Sequence, residues 1–323
     1  MSKSKSKNRK KATINKKLLL LSIGFGALII SGLIAYKTFF QDQATKFSLN
    51  AVIVDQLSVH FPNATFITRA TNLLTNAGFN VSYFSSESVN VSFYQRLVEG
   101  TYGIIILRAH SALRVNETIV DLFTSEPYDR SKYYEYQVEG LLSKAEYLVP
   151  MEQTTGQSYY FAITPNFIEK FGHFPKSIII AMGCSGLNVS GMAQAFISRD
   201  ATAYVGWTNV VLAKDTDYET ARFLEMLLGE NRTLATSIAI TNHYPYHDSS
   251  TNTSVTSNME FYPFAGSVGD LRISDLIAET KNPKALFSSV EQFSFLIAKV
   301  IADQEKDKIE GNNRFIFILN KKI

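Results

Sequence analysis

The sequence predicts an α/β domain built on a mostly parallel sheet flanked by helices, preceded by one transmembrane helix. Three observations carry this prediction. Apolar, β-branched runs of strand length recur at Ala51–Leu57, Tyr102–Leu107, the start of Ser177–Gly186, and Ala201–Trp207, and they are too continuous for strands with one wet face. Segments of helical period lie between several of them, the alternation of βαβ units with right-handed crossovers. A run without a charge, Leu18–Tyr36, follows a basic tail.

Residues 1–17 (MSKSKSKNRKKATINKK) have no apolar period and read as a solvated tail. At ~1.5 Å per residue, a helix over the next apolar run reaches roughly the thickness of a bilayer core. It exits through Lys37-Thr38-Phe39-Phe40, without the short core and small-residue exit of a cleaved leader, so residues 18–40 read as an uncleaved anchor. The positive flank is N-terminal, which keeps the tail cytoplasmic and places everything beyond residue 40 outside. Sequons at Asn63, Asn80, Asn90, Asn116, Asn188, Asn231 and Asn252 accord with that side of the membrane, although a chain rich in Asn, Ser and Thr also produces such triplets by chance. The expected organisation is a tail (1–17), an anchor (18–40), a linker (41–49), a main domain (50–247) and a C-terminal extension of unassigned role (248–323).

Within the main domain, Thr65–Phe79 reads as an amphipathic helix closing near Gly78, Val81–Phe84 as a strand and Val91–Glu99 as a helix. The long stretch 112–176 holds a strand or hairpin at Thr118–Ser125, a Tyr-rich polar segment and a strand-then-helix pattern at Tyr159–Phe171. Gly191–Arg199, Tyr218–Leu228 and Arg232–His243 read as helices, His247–Met259 as a loop, Glu260–Ser274 as two short strand-like pieces and Ser288–Ile301 as a helix.

Composition narrows the function. With 323 residues, 46% hydrophobic and 12% aromatic, the chain sustains one large core or two modest ones. The net charge of +3 originates in the tail and leaves the remainder mildly acidic, so no nucleic-acid partner is expected. A single cysteine excludes an internal disulfide framework and multi-Cys metal clusters. His243 and His247 have i,i+4 spacing, but Pro245 interrupts the helix that would present them, and neither a metal nor a cofactor is expected.

Two residues carry chemistry. Cys184 ends the buried run Ser177–Gly186, and His110 follows the run Tyr102–Leu107, so each sits at the carboxyl edge of a sheet, where α/β folds place their sites. A thiol needs a neighbouring base to act as a nucleophile. Gly183 and Gly186 bracket the thiol and allow a sharp turn whose amides can face an oxyanion. The same pattern also fits a small buried hydrophobe, the common fate of free cysteines. Acidic groups beyond the Trp207 run, Asp215 and Asp217, are candidates to pair a basic substrate side chain; Asp215 also fits a solvated loop charge, and Asp217 a cap for a helix starting at Tyr218. Trp207 fits packing better than substrate contact.

The order of these motifs resembles the caspase-like cysteine peptidase superfamily, which includes caspases, gingipains, clostripain, separase and, in particular, CHAT-like domains. The resemblance rests on Ile178–Gly186, Met192-Ala193-Gln194-Ala195-Phe196, Ala203-Tyr204-Val205-Gly206-Trp207 and Asp217-Tyr218-Glu219-Thr220, and covers roughly residues 50–245. It implies that Cys184 is the nucleophile of a polypeptide-cleaving site, His110 its general base or acid, and backbone amides of Ser111 and Cys184 the oxyanion hole. Many members carry Gly directly after the His, where this chain has Ser111. A non-catalytic binding or sensor domain at the membrane surface is the alternative that this scaffold also serves.

Overall fold

The apolar runs form the centre of a six-stranded sheet because their side chains are buried on both faces. In the computed structural model, β1 (Asn50–Asp55), β3 (Ile104–Arg108), β8 (Ile178–Ala181) and β9 (Ala203–Trp207) are buried almost throughout, whereas β2 (Asn80–Ser85) is a half-wet edge. The structure describes residues 32, 46–99, 101–114, 117–146, 159–248 and 252–281. The strand order is β2-β1-β3-β8-β9-β12, parallel except for β12 (Met259–Tyr262), which pairs antiparallel with β9. The fold is therefore α/β, with a mixed, mostly parallel central sheet flanked by helices.

Side-chain alternation divides the interior into two layers. Val52, Val54, Ile105, Leu107, Ile179 and Ala181 face one layer with α2 (Val91–Val98), α4 (Pro165–Phe171) and α5 (Gly191–Ser198), and α3 (Tyr134–Val138) lies in the stretch 112–176. Ile53, Ile104, Ile106, Ile178, Ile180, Val205 and Trp207 face the other layer with α1 (Ala64–Asn76), α6 (Ala213–Leu224), α7 (Leu234–Ala239) and α8 (Ile273–Lys281). Helix starts are specified locally. The side chains of Asn63, Asn90, Thr164 and Thr233 each accept an amide hydrogen bond from the third residue on.

The stretch 112–176 contributes a second sheet of order β4-β5-β7-β6, from β4 (Ser111–Leu113), β5 (Val120–Pro127), β6 (Leu142–Glu146) and β7 (Tyr159–Ile163), all antiparallel. Leu122, Phe161 and Ile163 tie it into the first core layer.

Three sequence expectations change. The helix expected from Tyr218 begins at Ala213, so Asp217 lies inside α6 and caps nothing. The helix expected over Arg232–His243 runs only from Leu234 to Ala239, and β10 (Tyr244–Asp248) starts at Tyr244, the residue that Pro245 holds extended. The expected loop His247–Met259 holds the end of β10 and all of β11 (Thr253–Ser257), which pair as a two-stranded ribbon; β11 is Ser/Thr-rich and buries too little to show an apolar period. The boundary at residue 247 therefore moves: β12 completes the main sheet, and Ile273 and Leu276 enter its core, so the compact unit spans 45–282.

The expected tail, the expected helix over 288–301 and, apart from Gly32, the expected anchor over 18–40 lie outside the described residues. Among the described residues, no helix is long and apolar enough to cross a membrane.

Candidate active site

The parallel register of β3 and β8 sets the site. Leu107 stands beside Ala181, and the Met182 amide donates to the Leu107 carbonyl at 2.9 Å, so the residues that follow each strand emerge level on the same edge. The two turns then clasp. The Ser111 hydroxyl donates to the Cys184 carbonyl at 2.7 Å. Between them Gly183 is obligatory: a Cβ there would lie 2.3 Å from Ser111 Oγ, 2.5 Å from the Ala109 carbonyl oxygen and 2.7 Å from the Ser111 nitrogen. The structure thus brings His110, Ser111 and Cys184 to one edge, with both His110 and Cys184 partly exposed.

His110 is held by its backbone and by its ring. Its N–H donates to Gln56 Oε1 at 3.0 Å, and its carbonyl accepts from the Phe123 amide at 2.9 Å. The imidazole packs edge-on to Phe61, with centroids 5.8 Å apart, and is tilted against Phe123 at 5.9 Å. Burial pushes its pKa down from the usual 6.5 to about 4, with smaller contributions from His60 and Arg108, so the ring is neutral at pH 7.

The Cys184 thiol donates to the Val211 carbonyl at 3.4 Å, and burial raises its pKa. The loop 208–212 that receives the thiol is pinned by residues 256–258, which lead into β12. Thr208 and Asn258 exchange two hydrogen bonds (2.9 and 3.0 Å), and Asn209 donates to Ser257 Oγ at 3.3 Å and to the Thr256 carbonyl at 2.9 Å. The Ser185 amide donates to the Asn209 carbonyl at 2.9 Å, which holds Ser185 in the left-handed region at φ 58°. The Thr216 hydroxyl accepts from Trp207 Nε1 and donates to the Met182 carbonyl, each at 2.9 Å, and so joins α6 to the ends of both β9 and β8. Trp207 is fully buried packing.

For the expected oxyanion amides, the β4–β5 ladder is informative. Ser111 stands opposite Leu122 while Phe123 donates to His110, and the alternation of an antiparallel pair turns the Ser111 N–H away from β5, on the side of Gly183.

The acidic candidates separate. Asp217 is 3% exposed and accepts from Arg108 Nε at 2.7 Å, from Arg108 Nη2 at 2.8 Å and from Asn63 Nδ2 at 2.9 Å. Arg108 is itself fully buried, and it also donates to Asp55 Oδ1 and to the Phe61 carbonyl, both at 2.6 Å. Burial works against the charged guanidinium, but the bonds to Asp217 and Asp55 outweigh it and raise the pKa. The Asp217 charge is therefore met inside the protein by a cation. Asp215 sits half-buried in the first turn of α6. Its charge is felt by the Tyr244 hydroxyl, which is pushed up to about 12 chiefly by burial and by donation to Glu219 at 2.8 Å.

The sequence reading missed the Arg108 cluster, although its signal was present. Asp55 and Arg108 end two apolar runs that pair in register, which sets opposite charges side by side at one sheet edge. Among the described residues, no cluster of three or more His, Cys, Asp or Glu side chains could hold a metal ion.

No family model matches the chain, and no curated protein matches it.

Proposed function

We propose that the chain is a caspase-like cysteine endopeptidase, anchored in a membrane by residues 18–40 with its main domain on the outer side, acting through Cys184 and His110. The observation that carries this reading is the clasp of the two turns, with the Ser111 hydroxyl on the Cys184 carbonyl and Gly183 against Ala109 and Ser111, because it holds a thiol and a neutral imidazole at one sheet edge. His110 accepts the thiol proton as Cys184 Sγ bonds to the scissile carbonyl carbon. The amides of Ser111 and Cys184 face the oxygen that becomes negative. His110 returns the proton to the leaving amine, and water, deprotonated by the same ring, releases the acyl group and restores the thiol. The motif order of the caspase-like superfamily supports the same roles.

A binding or sensor domain on this scaffold is the second reading. It is favoured by the resting thiol, which is held protonated by burial and directed at Val211. The deciding experiment treats the full chain with peptidyl acyloxymethyl ketones spanning several P1 residues, and compares wild type with His110→Ala and Cys184→Ala. The peptidase reading expects labelling of Cys184 that falls about 100-fold without His110. A folded protein that no peptidyl probe labels is the sensor outcome.

A further inference from the structure

Two exposed apolar residues lie next to the groups that hold the proposed dyad, Phe61 against the His110 ring and Leu212 directly after the Val211 carbonyl, and each is fixed by a device that a merely solvated residue does not need. Phe61 borders the His110 ring and is 38% exposed. Its amide donates to the Leu57 carbonyl at 2.8 Å and its carbonyl accepts from the buried Arg108, so both sides of its backbone are tied down. Leu212 is 58% exposed and directly follows Val211, whose carbonyl receives the thiol. It is also the N-cap residue of α6, with its carbonyl accepting from the amides of Asp215 and Thr216 at 3.0 Å each and with no side-chain cap. Ser, Thr, Asp or Asn is strongly preferred at an N-cap and leucine is among the poorest choices, so this position gives up local stability. Such breaches of a local rule concentrate at functional sites. One guanidinium ties the two positions together, since Arg108 bonds both the Phe61 carbonyl and Asp217 of α6.

Charge argues in the same direction. Asp217 and Asp55 are both buried on the one Arg108 guanidinium, and Glu219 is fully buried and takes hydrogen bonds from Arg222, Asn242 and Tyr244, so none of the three carboxylates is exposed to a substrate. Asp215 lies within electrostatic reach of Tyr244, which packs on Trp207.

We propose, building on the peptidase reading, that the specificity side chain presented to Cys184 is apolar, leucine- or phenylalanine-like, and that Phe61 and Leu212 are the specificity-determining residues that receive it. Apolar walls of this kind discriminate by roughly 10- to 200-fold, because a charged side chain would lose hydration there without gaining a counter-ion.

The test measures second-order labelling rates of the full chain with acyloxymethyl ketone probes that differ only at P1: Leu, Phe, Lys, Arg and Asp. It is repeated on Leu212→Ser, Leu212→Asp and Asp215→Asn, each checked for native circular dichroism. The expected result is that Leu or Phe leads Lys by about tenfold or more, that Leu212→Ser narrows this gap, and that Leu212→Asp moves the preference towards Lys. Wild-type labelling led by Lys or Arg and lost in Asp215→Asn would overturn the inference and leave the peptidase reading standing. An unchanged P1 ranking in both Leu212 variants would overturn it as well. If folded protein reacts with iodoacetamide at Cys184 but with none of the peptidyl probes, the peptidase reading fails and this inference fails with it.

Discussion

Replacing Asp217 by Asn distinguishes a structural carboxylate from a substrate-binding one. The substitution is nearly isosteric and leaves no cavity, but it removes the negative charge that takes two hydrogen bonds from Arg108 and one from Asn63. Arg108 stays fully buried with Asp55 as its remaining carboxylate. With charge centres ~4 Å apart and an effective dielectric of ~20, the lost attraction is about 4 kcal/mol. Asp55 remains on the guanidinium, so the net loss falls between about 1 kcal/mol and the roughly 3–5 kcal/mol of a buried charge left without any partner. Against a total stability of roughly 5–15 kcal/mol for a domain, the loss is large. The assay is urea unfolding of full-length wild type and Asp217→Asn followed by the fluorescence of Trp207, which is fully buried and bonded to Thr216 next to the mutated residue. A loss below about 1 kcal/mol, together with selective loss of labelling by a Lys-P1 probe, would refute the buried-clamp reasoning and return Asp217 to the substrate.

Two further outcomes follow from the site. His110 titrates near 4 in the folded chain and near 6.5 when unfolded, so acid favours the unfolded state: the stability it contributes is complete above about pH 6.5, and about 3 kcal/mol is lost as the pH falls towards 4. His110→Gln should flatten that part of the stability profile, and an unchanged profile would show that the imidazole is not buried as described. Gly183→Ala should cut Cys184 labelling at least tenfold, because the added methyl forces the two turns apart; adding Ser111→Gly should not rescue it, since the Ala109 oxygen and the Ser111 nitrogen, both backbone atoms, also lie within 3 Å.

The central strands were legible because burial on both faces writes itself as an unbroken apolar run, and βαβ alternation then implied a parallel sheet. The places of His110 and Cys184 at the sheet edge were legible for the same reason, each following such a run. Their neighbourhood was not. That β3 and β8 pair directly depends on strand order, which sequence spacing does not encode, and the clasp through Ser111 depends on register. Asp217 was misread because local logic offers a cap or a surface acid, whereas its partner Arg108 lies 109 positions away in the chain. β12 was legible only as a strand-like piece at the start of Glu260–Ser274; its antiparallel place beside β9 was not, because pairing across some fifty positions leaves no local period.

The dependence of the thiol loop on residues 256–258 has a consequence in time. Thr208 and Asn209 take their partners from the segment leading into β12, so the loop that receives the Cys184 thiol has no fixed shape until residues some fifty positions later have been made and have folded back antiparallel to β9. Such long-range closure is slow compared with local helix formation. A chain emerging during synthesis therefore builds most of its sheet while its cysteine is still unshaped for chemistry, and under the peptidase reading it is harmless to its own unfolded segments until β12 locks in place.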